Sequence, residues 1–156
     1  MITNSRTYPD GIDCVWLAAD DEGRVAAFVT AGIGPIPLTA MALGEEAVED
    51  LEGSIVEMPR FSEARLLAKL PRPDDFIAIA ERGIFAFDWR DIHRSTVEDT
   101  QCYELIAAPI TPINVEQLPN NIRSIALTTR ISRVRFLTAR MIDARYKITC
   151  IERNRS

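Results

Sequence analysis

Residues Asp10–Pro37, DGIDCVWLAADDEGRVAAFVTAGIGPIP, constrain the fold more than any other stretch. Two apolar runs flank a tight acidic turn, Asp20-Asp21-Glu22-Gly23, and a stiff Gly-Pro-Ile-Pro corner closes the segment. In Ile12–Asp20, Cys14, Trp16 and Ala18 alternate with Val15, Leu17 and Ala19, so both faces of the strand are apolar. In Arg24–Ala31, Ala26 and Phe28 alternate with Val25, Ala27 and Val29. Strands apolar on both faces belong inside a sheet covered on both sides. Gly23 supplies the positive φ that closes a hairpin, and Pro35 and Pro37 end the ladder because they lack an N–H.

The remaining pattern predicts helices over Thr39–Glu52, stopped by Gly53, over Asp74–Arg82 and over Pro119–Thr129. Ile55–Met58 reads as a short strand or an extended link. Arg60–Leu70 fits a helix or a strand. Strands are expected at Ile84–Asp91, with Phe85, Phe87 and Trp89 on one face, and at Tyr103–Ala108. Pro109–Pro119 reads as an extended connector. Val134–Ile142 and Arg145–Ile151 read as a final strand pair turning at Asp143-Ala144. This order predicts an α+β fold. Its sheet is mainly antiparallel, starts with the N-terminal hairpin and carries packed helices. A chain of 156 residues is read as one domain, 1–156, with flexible ends at 1–7 and 152–156.

Charge is unevenly spread. Residues 121–156 hold nine basic and two acidic side chains and residues 1–120 hold nine and 21, for a net charge of −5. A basic C-terminal part raises nucleic-acid binding. The overall acidic balance favours instead that it packs beside the acidic body and offsets its field. No apolar run reaches the 18 or more residues of a membrane span, and MITNSRTYPD lacks a signal-peptide core. Cys14, Cys102 and Cys150 are odd in number and lie among apolar neighbours, so they read as reduced core residues of a cytoplasmic protein.

Recognisable catalytic devices are missing. His93 is the sole histidine. As a general base it would need Asp91 or Asp88 as orienter; the alternative is a loop histidine. Gly32-Ile33-Gly34-Pro35 follows a strand as a phosphate loop would, but lacks the third glycine or the Gly-Lys pair such loops use. The doublets Asp20-Asp21, Glu45-Glu46 and Asp74-Asp75 are explained by turns and helix starts. No cofactor and no metal are expected. Trp16, Phe28, Phe85 and Phe87 read as core, with Trp89 as the exception because Asp88, Arg90 and Asp91 surround it.

The segments Asp10-Gly-Ile-Asp-Cys-Val-Trp-Leu-Ala18 and Phe28-Val-Thr-Ala-Gly-Ile-Gly-Pro-Ile-Pro37 resemble the N-terminus of small bacterial proteins of the polymorphic-toxin immunity type. The resemblance covers under a fifth of the chain, and its motifs are structural, so no functional residue carries over. It implies a cytoplasmic inhibitor that blocks a cognate toxin. An acidic domain without chemistry suits a basic partner, because opposite charge speeds encounter. Asp20, Asp21, Glu22, Asp88, Trp89 and Asp91 are the expected partner contacts. The alternative is a small enzyme or ligand-binding protein using His93 with Asp88 and Asp91.

Overall fold

A computed structural model describes residues 7–9, 13–42, 44, 48–90, 102–143 and 152–154. Among these, the short strands β1 (Thr7–Pro9) and β9 (Glu152–Asn154) pair in parallel. The hairpin strands are β2 (Val15–Asp20) and β3 (Val25–Val29). A 3-10 turn, Leu38–Met41, follows, then α1 (Leu51–Val56), β4 (Ala64–Leu66) and α2 (Asp74–Glu81). Next come β5 (Phe85–Arg90), β6 (Cys102–Pro109), a second 3-10 turn at Val115–Gln117, and α3 (Asn120–Thr128). The last pieces of the sheet are β7 (Arg130–Ile131) and β8 (Met141–Ile142).

Seven strands form one mixed, mostly antiparallel sheet in the order β4-β6-β5-β3-β2-β7, with β8 also on β6. The fold is therefore α+β, with the antiparallel hairpin β2–β3 inside the sheet. The alternation in the sequence sorts the core as expected. Trp16, Phe28, Phe85, Phe87, Tyr103 and Leu105 share one face. Val15, Leu17, Val25, Ala27, Ala86 and Ile106 share the other, beneath Leu51 and Ile55 of α1, Ile79 and Ala80 of α2, and Ile122 and Ala126 of α3.

The aromatic face is covered by the Gly-Pro-Ile-Pro corner, the first 3-10 turn, the helical residue Val48 and the irregular stretch around Phe136. Ile36, Met41, Ile131 and Phe136 press on it. Trp16 stacks on Phe28 at 4.0 Å and Phe28 on Phe87 at 5.0 Å, while Tyr103 meets Phe28 edge-on at 5.1 Å. These are the favoured offset-stacked and T-shaped geometries. The Trp16 indole N–H donates to the Tyr103 hydroxyl at 3.1 Å, and that hydroxyl donates to the Pro35 carbonyl at 2.9 Å. The Gly-Pro-Ile-Pro corner thus docks on the aromatic cluster. Gly34 is required there: a Cβ would lie 2.5 Å from Tyr103 Oη.

A bulge explains how β6 carries two partners on one edge. Ala86 pairs with Ala107 but Phe87 with Leu105, which leaves Ile106 as an extra residue. Neighbouring residues then turn to the same edge. Leu67 N–H donates to the Ile106 carbonyl, and Leu105 N–H to the Arg140 carbonyl. Residues 64–67 and 140–142 follow each other as a composite edge strand.

Several expectations are corrected. A continuous Thr39–Glu52 helix does not form: Gly44 has φ +100°, and Leu51–Val56 forms its own helix. Gly53 lies inside that helix, and Ile55–Val56 are its last turn rather than a strand. Arg60–Leu70 resolves to the three-residue β4. The Pro109–Pro119 connector contains a 3-10 turn capped by Asn114 and Gln117. Val134–Ile142 is not one strand. Arg133 has φ +65°, and the Thr138 and Ala139 amides both donate to the Arg135 carbonyl, so only Met141–Ile142 joins the sheet. The Arg145–Ile151 strand lies outside the described residues, as does Cys150. Cys14 is buried and Cys102 half-buried. No helix of the described residues is long and apolar enough to cross a membrane.

Candidate functional site

The acidic hairpin turn lies where β2, β7, α3 and the Asn114 cap converge. Asp20 ends β2 and is only 1% exposed. Its Oδ1 accepts the Glu22 and Arg24 amides at 2.9 and 3.0 Å, and its Oδ2 accepts the buried Phe136 amide at 3.0 Å. The first two bonds make an Asx turn. The third ties residue 136 of the aromatic cover to the hairpin. Asp20 is therefore an internal anchor, which corrects its assignment as a contact residue.

Asp21 and Glu22 remain at the surface. Asp21 accepts the Arg133 amide at 3.2 Å and lies 3.5 Å from the Arg130 guanidinium. Glu22 pairs with Arg24 and, at 3.1 Å, with Arg135. Arginines of the basic C-terminal part thus sit on the acidic turn. Exposed pairs of this kind contribute about 0–1 kcal/mol and exchange partners readily.

Beside the turn runs an open groove of about 290 Å³, lined by Asp21, Glu22, Asn114, Glu116, Leu127 and Arg130 among others. Leu127 is 54% exposed. It faces outward because the inward stripe of α3 is Ile122 and Ala126. Glu116 is exposed and makes no ion pair among the described residues. Gly23 lets the groove wall close: its φ is +84°, and a Cβ would lie 2.8 Å from the Asn114 amide nitrogen. The result is an aliphatic side chain inside a charged rim. The sequence holds one signal for Leu127, a leucine off the inward stripe of an amphipathic helix.

The second expected cluster is elsewhere. Asp88 is half-buried on β5, paired in register with Val29 and Glu104. Val29 ends β3, so Asp88 and the acidic turn occupy opposite ends of that strand, roughly 20 Å apart at about 3.3 Å per residue. Trp89 is 6% exposed and packs edge-on against Tyr103 at 5.1 Å. It belongs to the core with the other aromatics, which corrects its reading as the exception. Asp91 and His93 lie outside the described residues. No family model, no curated protein and no solved structure matches the chain. Among the described residues no group of three His, Cys, Asp or Glu side chains is placed to hold a metal ion.

A third acidic group lies at the start of α1. Burial raises the Glu52 pKa above the ordinary carboxylate range, and the carboxylates of Asp75 and Asp13 push it further, with a side-chain hydrogen bond to Asp75. The folded protein therefore holds this proton more tightly than the unfolded chain. Stability falls as pH rises from the usual Glu range through the raised value, and ionised Glu52 is a net cost at pH 7. Glu52→Gln should stabilise by about 0.5 kcal/mol at pH 7, because solvent screens this partly exposed group. The gain should vanish near pH 3.5, as urea unfolding at the two pH values would show.

Proposed function

We propose that the chain is a non-catalytic protein-binding domain of the immunity type, acting in the cytoplasm, and that it grips its partner at the groove beside the acidic turn. The observation that carries this reading is Leu127, more than half exposed on a groove wall and rimmed by Asp21, Glu22 and Glu116. Binding energy concentrates where an apolar side chain is sealed from water by a polar rim. Glu116 offers an unspent carboxylate to a partner's cation. Asp21 and Glu22 can exchange their exposed arginine pairs for stronger intermolecular ones. The likeness of Asp10–Pro37 to immunity proteins points to a basic toxin as that partner.

The test begins with the full chain as bait in extract from its own organism. The captured protein should be toxic when expressed alone and harmless beside the wild-type chain. Leu127→Ala should weaken the complex at least tenfold, and Glu116→Lys should mainly slow association. Both side chains are exposed, so thermal stability should not move. A partner held equally well by both variants, or one with no toxicity to relieve, refutes the proposal.

A further inference from the structure

The edge strand β4, on the far side of the sheet from the groove, has its own recognition chemistry. The Ile110 amide donates to the Glu63 carbonyl at 2.8 Å and the Leu67 amide to the Ile106 carbonyl at 2.7 Å. Strand alternation then turns Glu63, Arg65 and Leu67 towards β6 and the backbone groups of Ala64 and Leu66 outward. No strand lies beyond them among the described residues. Leu66 is 42% exposed and Met141, next along the composite edge, 53%. Register places both on the helix side of the sheet. Phe61 and Ile110 are exposed too, and Phe61 flanks a shallow hollow of about 400 Å³ with Arg60, Ser62, Glu63 and Thr111.

The charge of this edge is opposite to that of the chain. Between residues 60 and 72, Arg60, Arg65, Lys69 and Arg72 face one acid, Glu63, in a chain of net charge −5. Arg65, Lys69 and Arg72 are exposed and make no ion pair among the described residues.

We propose that β4 takes an extended acidic segment of a partner protein as the next strand of the sheet. Its backbone would bond Ala64 and Leu66, its apolar side chains would rest on Leu66 and Met141, and its carboxylates would meet Arg65, Lys69 and Arg72. The alternating outward N–H and C=O groups require a peptide, since phosphates would satisfy only the donors. A second copy of this chain fits poorly: two-fold pairing of β4 with itself sets one cation cluster against the other. This surface does not depend on the Leu127 groove.

The experiment pans a phage library of random linear 12-residue peptides on the full chain. Enriched peptides should alternate acidic and apolar residues. The double substitution Arg65→Glu with Lys69→Glu should weaken a synthetic copy of an enriched peptide at least tenfold while leaving the melting temperature in place. Amide exchange should slow at Ala64 and Leu66 on peptide addition and stay unchanged at Arg65, which already faces β6. Three results would overturn the proposal. One is enrichment without acidic residues, or binding indifferent to the double substitution. Another is an oligonucleotide that binds with the same charge dependence and leaves Ala64 and Leu66 unprotected. The third is a wild-type dimer that the double substitution abolishes.

Discussion

Asp20→Ala is expected to destabilise the protein by about 3 kcal/mol, measured as a lower urea midpoint at unchanged slope. The buried carboxylate serves three backbone amides on two segments. Hydrogen bonds to a charged acceptor contribute roughly 1.5–3 kcal/mol, and a buried amide left without a partner costs about 1–3 kcal/mol. Water can replace the carboxylate at the part-buried Glu22 and Arg24 amides. It has no access to the Phe136 amide, which is buried. Asp20→Asn keeps the shape and one acceptor oxygen for the turn but sets an NH₂ against the Phe136 amide, so its loss should be about half as large. Equal losses for Ala and Asn would mean that the charge, not the placement of acceptors, carries the effect.

Phe136→Ala is expected to cost about 3–5 kcal/mol, the range for a fully buried aromatic side chain. Phe136 is completely buried and meets Phe28 and Phe87 edge-on, both at 6.1 Å, and Phe85 at 6.4 Å. It is the aromatic plug of an irregular segment, so its removal takes both the packing and the reason for the cover to dock. Because the same residue's amide is held by Asp20, the two losses share a cause. The double mutant should lose less than the sum of the single losses by 0.5 kcal/mol or more, on the order of a contacting pair. Strict additivity would separate the turn from the cover.

These two residues also mark where the sequence stopped being legible. Period-two alternation is local, so both faces of β2 and β3 and the Phe85–Phe87 face of β5 could be read from single strands. The segment VRFLTARMI, residues 134–142, reads as a strand too, yet only Met141 and Ile142 pair. What overrides that reading is a hydrogen bond to Asp20, 116 residues away in sequence, and the left-handed backbone at Arg133. The helix expected across Thr39–Glu52 fails at Gly44, whose positive φ a propensity argument counts only as a weak point. The bulge at Ile106 breaks the alternation of β6 with two apolar neighbours on one face, a pattern that apolar composition alone hides.

The candidate site shows the same division. The acidic turn could be located because Asp-Asp-Glu-Gly has turn chemistry, but the sequence could not separate an acid facing inward from its exposed neighbours. Asp20 is internal while Asp21 and Glu22 are exposed. Trp89 reads as an exception from its polar neighbours, but Asp88 next to it alternates to the opposite face of β5, and Trp89 shares the aromatic face with Phe85 and Phe87. Leu127 matters only once the Asn114 cap and the hairpin turn are brought to the same side of α3, which is tertiary information.

The central claim is that the groove beside the acidic turn holds a protein partner. Hydrogen–deuterium exchange on the full chain, free and in complex with the captured partner, tests it most directly. The account predicts slower exchange in peptides covering residues 20–24, 114–117 and 124–130, with the protection lost in Leu127→Ala at matched concentration. Protection confined to other surfaces, with these three segments exchanging as in the free protein, would contradict it.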